Sequence, residues 1–310
     1  MSKLKKNFLS LVGAAISIGI IAYIVLTFNL ADFWNELARV KMIYILPLVI
    51  LILIGNIVRA LRWRLLLPAK KRPSLLVLFE AIMVGFTATF LLPLRAGEFV
   101  RAFYISKIEE VSFSGAFASV VTERVFDVLA LLGLFGICFG FMPSVPTFVG
   151  VAAKSLAIIA FAIACVMVVA YKKPRFILGT FYNCCRMVTR RRFHWLTRKL
   201  LKMANEFVIG LQTISSLSEI LLVLFYSACV WIFGCLFYAL SISALGTEGS
   251  LLIGAVTTVM IALAVAAPSA PGFLGTYQVG CVVALSGIYG FSESYAIAYS
   301  IVTHVLQAAF

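Results

Sequence analysis

The sequence predicts an all-α polytopic integral membrane protein. Of its 310 residues, 63% are hydrophobic and 12% are charged, whereas roughly a quarter of a soluble domain is charged. The mean hydropathy is +1.09. Several apolar runs reach the length of about 20 residues that a hydrocarbon core requires. The first run, residues 8–28, is too long for a signal peptide and is followed by no clean cleavage site, so we interpret it as a membrane helix.

Apolar segments follow one another along the whole chain and define a single membrane domain over residues 1–310. We expect about six transmembrane helices and two re-entrant helical hairpins. The segments are residues 8–28, 43–61, 75–92, 98–106, 113–137, 148–171, 217–245, 251–267, 273–289 and 295–310.

The basic residues indicate the orientation. The net charge is +14, and Lys and Arg concentrate in residues 59–72 and in a basic loop at 172–206. Both segments and the N-terminus are therefore expected to be cytoplasmic, in the plasma (inner) membrane of a prokaryote. Residues 138–148 and 246–250 carry no Lys or Arg and are expected to face outward. Positive-inside bias explains the charge, so we expect no nucleic acid as partner.

This orientation predicts the two hairpins. Residues 75–107 have to leave the cytoplasm and return to it, so two short helices meet at "LPLRAG". Residues 251–289 are broken by "APSAPGFLGT" and return to the outside. The halves, 43–137 and 217–310, thus have opposite orientations, as in the inverted repeats of many secondary transporters. The competing interpretation makes the broken segments complete spans, with eight or more crossings.

Charged side chains occur at and after the first break. Arg95 lies in it and Glu98 and Arg101 follow it, and the i,i+3 spacing allows Glu98 to pair with either arginine. The next helix adds Glu123, Arg124 and Asp127, and its two carboxylates share a face that could meet Arg95 or Arg101. These six charges sum to zero. They are either a buried structural network or a site where arginines bind a lipid phosphate, and both roles can coexist.

The second break carries no charge. Its prolines and glycines interrupt the helix and free backbone groups, which is tolerated at membrane depth inside protein or along a wet cavity. A helix beginning near Phe273 would direct its N–H groups at an anion. The alternative is an ordinary loop outside the membrane. The residues concerned are Pro268, Pro271, Gly272 and Gly275.

Four stretches in order, "NIVRALRWRLLL", "LPLRAGEFVRAFYISK", "TERVFDVLALL" and "PSAPGFLGTYQVGCVVAL", resemble the lysylphosphatidylglycerol synthase transmembrane (flippase-like) family. Its relatives include the membrane half of the multiple peptide resistance factor. The resemblance implies binding of a lipid with a charged head group and its movement between leaflets. It assigns the head-group role to Arg95, Gly97, Glu98, Arg101, Glu123, Arg124 and Asp127.

The second break completes the expected head-group site with Pro271, Gly272, Gly275 and Gln278. Relatives often carry Gly-Val-x-Glu after the Pro-Gly loop, whereas this chain has "GTYQ". Because Gln278 is neutral, the resemblance does not carry a carboxylate role to this position.

We therefore expect translocation of an anionic lipid: a phospholipid, an aminoacyl-phospholipid or a polyprenyl-phosphate-linked lipid. The chain ends at Phe310 without a soluble aminoacyl-transferase domain, so we expect no such enzyme. No cofactor or metal is expected either, because the seven cysteines lack metal-ligand spacing.

Two other functions stay open. One is a membrane-embedded lipid-modifying transferase with Glu98, Glu123, Asp127 or His304 as base. The other is an accessory lipid-binding subunit without transport. Beside the lipid, a separate lipid-synthesising enzyme and a second copy of this chain stay open as partners.

Overall fold

The computed structural model describes residues 30–69, 72–92, 96–142, 147–189, 194–213, 216–267 and 270–310. This part of the chain is helical and contains no strand. Its α-helices are α1 Leu30–Ala38, α2 Ile45–Leu66, α3 Leu75–Leu91, α4 Gly97–Ile108, α5 Phe113–Phe139, α6 Thr147–Lys172, α7 Pro174–Thr189, α8 His194–Leu211, α9 Leu217–Ala244, α10 Leu251–Val265, α11 Thr276–Val282 and α12 Glu293–Ala309. The predicted span 8–28 and the predicted site residue Arg95 lie outside the described residues, as do Pro93 and Pro268.

Serine residues begin five of these helices. In each case the side-chain oxygen accepts a hydrogen bond from a backbone N–H in the first turn, which satisfies a donor that the helix leaves free. The serines are Ser74 before α3, Ser112 before α5, Ser216 before α9, Ser250 before α10 and Ser292 before α12. The boundaries of these helices are therefore encoded locally, at the ends of the predicted apolar segments.

The described helices support a multi-pass membrane protein. Three segments are long and apolar enough to cross a membrane: Met42–Leu66, Leu217–Ala244 and Pro271–Ile288. Two more, Ala157–Lys172 and Pro174–Cys185, pass the same test together and meet at a bend of 112°. The count of about six spans and the re-entrant course of residues 75–107 and 251–289 stay predictions.

Both predicted breaks join helices that pack closely against each other. Helix α3 packs along α4, where a methyl group at Gly97 would overlap the Gly85 carbonyl and Thr89. Helix α10 packs along α11, where a methyl group at Gly280 would lie 2.6 Å from the Cα of Ile261. Each half thus contains a pair of consecutive helices that pack closely against each other at a glycine.

The long first helices of the two halves pack against each other and connect the halves. Helix α2 packs along α9. Leu48 of α2 belongs to a core formed mainly by α9, α11 and α12, and Val223 of α9 belongs to the core of the first half. The breaks also meet, because a Cβ atom at Gly272 would lie 3.1 Å from the ring of Phe90 at the end of α3. The junction between the halves therefore runs from α2 and α9 to the two breaks.

The segment 172–206, predicted as a basic loop, consists largely of α7 and α8. Helix α7 leaves Phe176 and Phe181 exposed. Helix α8 packs against α5, where Gly210 faces Gly115 and Ala118. This segment thus joins the body of the first half, and its cytoplasmic location stays a prediction.

We expect Gly97→Ala to weaken the α3–α4 hairpin. The added methyl group overlaps backbone, which cannot move as a flexible side chain does, so the loss of stability should be about 1–3 kcal/mol. Gly133→Ala in α5 is the matched control, since a methyl group there meets nothing within 4 Å. Thermal unfolding in detergent measures both variants. Equal melting temperatures would contradict the close packing described for α3 and α4.

Cysteine labelling tests the re-entrant course of the first hairpin. If α3 and α4 return to the side they left, cysteines placed at Glu109 or Glu110 and at Lys70 or Lys71 should react with an impermeant reagent from the same side. The seven native cysteines are first replaced. Labelling from opposite sides would show that the hairpin is a complete span.

Candidate functional site

Arg62 carries a fully buried charge in the first half. Its side chain is 0% exposed. One terminal nitrogen donates to Asp127 Oδ1 at 2.6 Å and to Ser227 Oγ at 3.0 Å, and the other donates to Glu123 Oε1 at 2.9 Å. Since Ser227 lies on α9, this guanidinium joins α5 to both of the long helices at the junction of the halves.

Arg101 binds the same carboxylate from the hairpin. Its terminal nitrogens donate to the two oxygens of Glu123, at 2.9 and 3.3 Å, and its guanidinium lies 3.7 Å from the ring centroid of Trp63. Trp63 is itself fixed by donating to Ser119 at 2.8 Å. Gly85 leaves room for this arginine, because a Cβ atom there would lie 2.9 Å from the Cβ of Arg101. The hairpin is thereby tied to α5 by a buried ion pair.

Arg124 occupies the partly exposed edge of the same group of charges. Its side chain is 35% exposed and contacts three carboxylates. The distances are 2.8 Å to Glu123, 3.2 Å to Asp127 and 3.6 Å to Glu98. Arg124 can therefore reach a ligand at the edge without losing every carboxylate partner.

Arg59 lies one helical turn before Arg62. It is within electrostatic range of Asp127, Arg62 and Arg124, and its guanidinium carbon lies 5.9 Å from the ring centroid of Phe86. No carboxylate within the described ranges forms an ion pair with it.

We call Arg59 and its charged neighbours the arginine–carboxylate cluster. Its described members are four arginines and three carboxylates, so one positive charge is left over. They are Arg59, Arg62, Arg101, Arg124, Glu98, Glu123 and Asp127.

The structure confirms some of the predicted contacts and corrects others. Glu123 meets Arg101 as expected. The pairing of Glu98 with Arg101 was wrong, because Arg101 points inward to Glu123 whereas Glu98 lies at the edge beside Arg124. The placement of Arg62 in a basic loop was also wrong. Helix α2 continues to Leu66, and carboxylates of α5 neutralise this arginine.

Sequence reasoning missed Arg59 and Arg62 as members of the site. Their signal was present in "NIVRALRWRLLL", where the two arginines stand three residues apart in an apolar stretch. That spacing puts both on one face of a helix.

The second break has its own polar arrangement. Gly272 and Gly275 have left-handed backbone angles, with φ of 68° and 87°, around the short turn at Pro271. Gln278 Oε1 accepts a hydrogen bond from the Gly275 N–H at 2.8 Å. Gln278 therefore caps the start of α11 as a neutral residue, and the predicted head-group contacts of these four residues stay predictions.

A chain of hydrogen bonds continues from there between α9, α11 and α12. The Tyr277 hydroxyl lies 3.0 Å from Thr303 Oγ1 and 3.3 Å from the Tyr238 hydroxyl, which also accepts from Gln307 at 2.9 Å. Arg59 is within electrostatic range of Tyr238. We call this group, with Gln278 and His304, the tyrosine–histidine cluster. Arg59, a member of the arginine–carboxylate cluster, is thus within electrostatic range of the tyrosine–histidine cluster.

Within the described ranges, no group of three His, Cys, Asp or Glu side chains is placed to hold a metal ion. The cysteines there are free.

Comparison with known proteins identifies relatives over most of the chain. The sequence model of the family described as "Lysylphosphatidylglycerol synthase TM region" matches residues 10–310. A "UPF0104 membrane protein" of Methanothermobacter thermautotrophicus is 26% identical over 307 residues, which cover 94% of this chain and 90% of that protein.

A shorter similarity links the chain to "Glycosyltransferase AglD" of Haloferax volcanii, at 39% identity over 57 residues. It covers 18% of this chain and 9% of that protein. No solved structure matches the chain significantly. Because the family model spans nearly the whole sequence, the chain belongs to the family of lysylphosphatidylglycerol synthase transmembrane regions.

Proposed function

We propose that the protein binds the head group of an anionic lipid at the arginine–carboxylate cluster and moves the lipid between leaflets. The observation that carries this proposal is the positive charge left over on Arg59, at the junction of the halves. Within the described residues, Arg59 is within electrostatic range of charges of α5 and of Tyr238 of α9, and it forms no ion pair of its own.

Electrostatics favours an anion at this position. A charge near the centre of a membrane costs on the order of 2.5–3.5 kcal/mol on insertion scales. Arg62 and Arg101 offset that cost with buried carboxylate bonds. A phosphate would do the same for Arg59, and the planar guanidinium of Arg124 at the edge suits its oxygens.

The arrangement separates the charges that hold the helices together from those that reach a ligand. Glu123, with Arg62 and Arg101, is buried and joins α2, α4 and α5. Glu98 and Arg124 are about one-third exposed. Lipid binding at the edge and at Arg59 therefore leaves the buried ion pairs intact.

Transport follows if the halves move against each other. The cluster lies where α2 and α9 pack together, and the two breaks meet at Phe90 and Gly272. In transporters built from inverted repeats, a site at such a junction opens to either side as one repeat rocks against the other. A lipid head group held at Arg59 would then face each leaflet in turn while its tails stay in the bilayer.

The transferase alternative finds less support in the geometry. A general base needs a free acceptor near its substrate. Glu123 already accepts from three arginines, and Asp127 contacts two. The short similarity to a glycosyltransferase covers too little of that protein to favour a transfer reaction here. An accessory lipid-binding subunit would share the proposed binding but not the exchange.

A leaflet-exchange assay tests the proposal through Arg124. Purified protein in liposomes should exchange fluorescent phosphatidylglycerol. Arg124→Ala should reduce both expression and exchange, and Arg124→Lys should fold but exchange about tenfold more slowly, because an ammonium cannot bind phosphate bidentately. Arg39→Ala, which breaks an exposed pair with Glu36 away from the cluster, is the control. Normal exchange by folded Arg124→Ala would leave this arginine without the proposed role.

The buried carboxylate is expected to govern stability. Glu123→Gln leaves Arg62, Arg101 and Arg124 without their shared charge, so the loss should be about 3–5 kcal/mol. Glu98→Gln, at the edge, makes the same chemical change and should unfold close to the wild-type temperature. Thermal unfolding in detergent compares the two. A larger loss of stability for Glu98→Gln than for Glu123→Gln would contradict the assignment of the stabilising role to the buried carboxylate.

A further inference from the structure

His304 of α12 packs against the second break. It is 8% exposed, and its ring stacks on that of Tyr277 in α11, with the ring centroids 4.4 Å apart. The backbone of Gly272 in the turn interacts with the histidine ring, and the ring of Phe90 in α3 lies 5.8 Å away. The histidine is therefore surrounded by the turn, by the helix that follows the turn and by the end of α3 from the first half.

The hydrogen bonds of Gln278 determine which protonation state of the histidine fits this arrangement. Gln278 Oε1 accepts from the Gly275 N–H at 2.8 Å and so caps the start of α11. The amide nitrogen of Gln278 consequently faces His304 Nδ1, at 3.2 Å. Because an amide nitrogen only donates, Nδ1 has to be the unprotonated acceptor of a neutral imidazole. The capped turn therefore requires a neutral His304.

Protonation of His304 would place two donors opposite each other. Both nitrogens of an imidazolium donate, so the Nδ1–H would point at the amide N–H groups of Gln278. Rotating the amide presents Oε1 to the histidine, but the amide nitrogen then faces the Gly275 N–H, which is also a donor. A single amide oxygen cannot lie on both sides, so a protonated His304 and a capped Gly275 exclude each other.

The cap holds the turn at which the two breaks meet. Gly272 and Gly275 are buried and have left-handed backbone angles. A Cβ atom at Gly272 would lie 3.1 Å from the ring of Phe90. Without Gln278 Oε1 the Gly275 N–H loses its acceptor, and an unpaired buried N–H at a helix start destabilises the helix and the turn before it. A proton on the histidine would thus be felt at the contact between the breaks.

The groups around His304 leave it as the side chain that titrates near neutral pH. Helix α11 presents Tyr277, whose hydroxyl bonds to that of Tyr238 in α9, and α3 presents a phenyl ring. Arg59 of α2 is within electrostatic range of Tyr238. Within the described ranges His304 forms no ion pair. An ordinary histidine titrates near pH 6.5, whereas tyrosine and arginine titrate at about 10 and above about 12.

We propose that His304 is a proton-binding site and that a proton there uncaps the turn of the second break. The neutral ring leaves Oε1 of Gln278 on Gly275, and the protonated ring draws that oxygen to itself. In the lipid transport proposed above, on which this inference rests, the proton is a second ligand. Because the uncapped turn holds the two breaks together less firmly, the halves should move against each other more readily at acidic pH.

Two variants separate binding of the proton from loss of the cap. Gln278→Glu offers two carboxylate oxygens, one for the Gly275 N–H and one for an imidazolium, so protonation of His304 no longer breaks the cap. His304→Gln provides an amide oxygen that accepts from Gln278 and does not titrate. His194→Gln removes the other of the two histidines in the sequence and is the matched control.

Hydrogen–deuterium exchange of the full chain in detergent micelles measures the cap. The exchange rate of the amides at 275–279, divided by that of Gln278→Glu at the same pH, should be about fivefold higher at about pH 5 than at about pH 8, since a helix cap contributes about that factor. Dividing by the variant removes the effect of pH on the chemical step of exchange. His304→Gln should stay protected at both pH values, and His194→Gln should behave as the wild type. A wild-type ratio that does not change with pH overturns the inference.

Nitrogen NMR detects the proton itself. In His194→Gln protein labelled with ¹⁵N-histidine, His304 should give the signals of a neutral ring protonated at Nε2 at about pH 8 and those of an imidazolium at about pH 5. Adding Gln278→Glu should preserve this titration although the amide exchange no longer responds. A ring that stays neutral throughout, or one that carries both protons at about pH 8, overturns the inference.

Leaflet exchange of phosphatidylglycerol in liposomes distinguishes this inference from the function on which it rests. The ratio of the rates at about pH 5 and about pH 8 should be severalfold larger for the wild type than for Gln278→Glu or His304→Gln, which retain any effect of pH on the other charges. Equal ratios overturn proton control and leave lipid transport standing. Absence of exchange at both pH values, with the NMR titration and the loss of amide protection present, overturns the transport function and leaves the proton site standing.

Discussion

The fold depends most on one carboxylate, that of Glu123, which accepts hydrogen bonds from Arg62, Arg101 and Arg124. These arginines come from three different helices. Through them, one buried acidic group fixes the hairpin and α2 against α5, in a chain with little other charge to bury. Apolar packing has no preferred direction, whereas these bonds do, so they determine which helices are neighbours and at what depth.

The same charges explain how the cluster can support the fold and also take the role proposed for it in ligand binding. A buried network in which every charge is paired would stabilise the fold but would leave no free positive charge to bind an anion. Here, within the described residues, pairing is complete around Glu123 and incomplete at Arg59, which forms no ion pair and is within electrostatic range of Tyr238 in the other half.

The helices could largely be predicted from the sequence, because apolar length and serine caps are local signals. Helices α5 and α9 end within two residues of the predicted segments 113–137 and 217–245. The site could be predicted less well. Glu123 and Arg62 are 61 positions apart. No local sequence pattern shows that a basic residue near a helix end forms an ion pair with a carboxylate so far away in the sequence. The orientation of Gln278 toward Gly275 and His304 also depends on tertiary packing. For these reasons the sequence placed Arg62 in a loop and did not assign a site to Arg59.

The bond between Arg62 and Asp127, which joins residues 65 positions apart, has a consequence for biosynthesis. At about 5–20 residues per second, a ribosome needs roughly 3–13 s after making Arg62 before Asp127 exists. During that interval the C-terminal turns of α2 carry uncompensated arginines, whose insertion into lipid is costly. The end of α2 should therefore stay at the membrane surface, or in the insertion machinery, until α5 arrives. The first half would then enter the bilayer as a unit of four helices rather than one helix at a time.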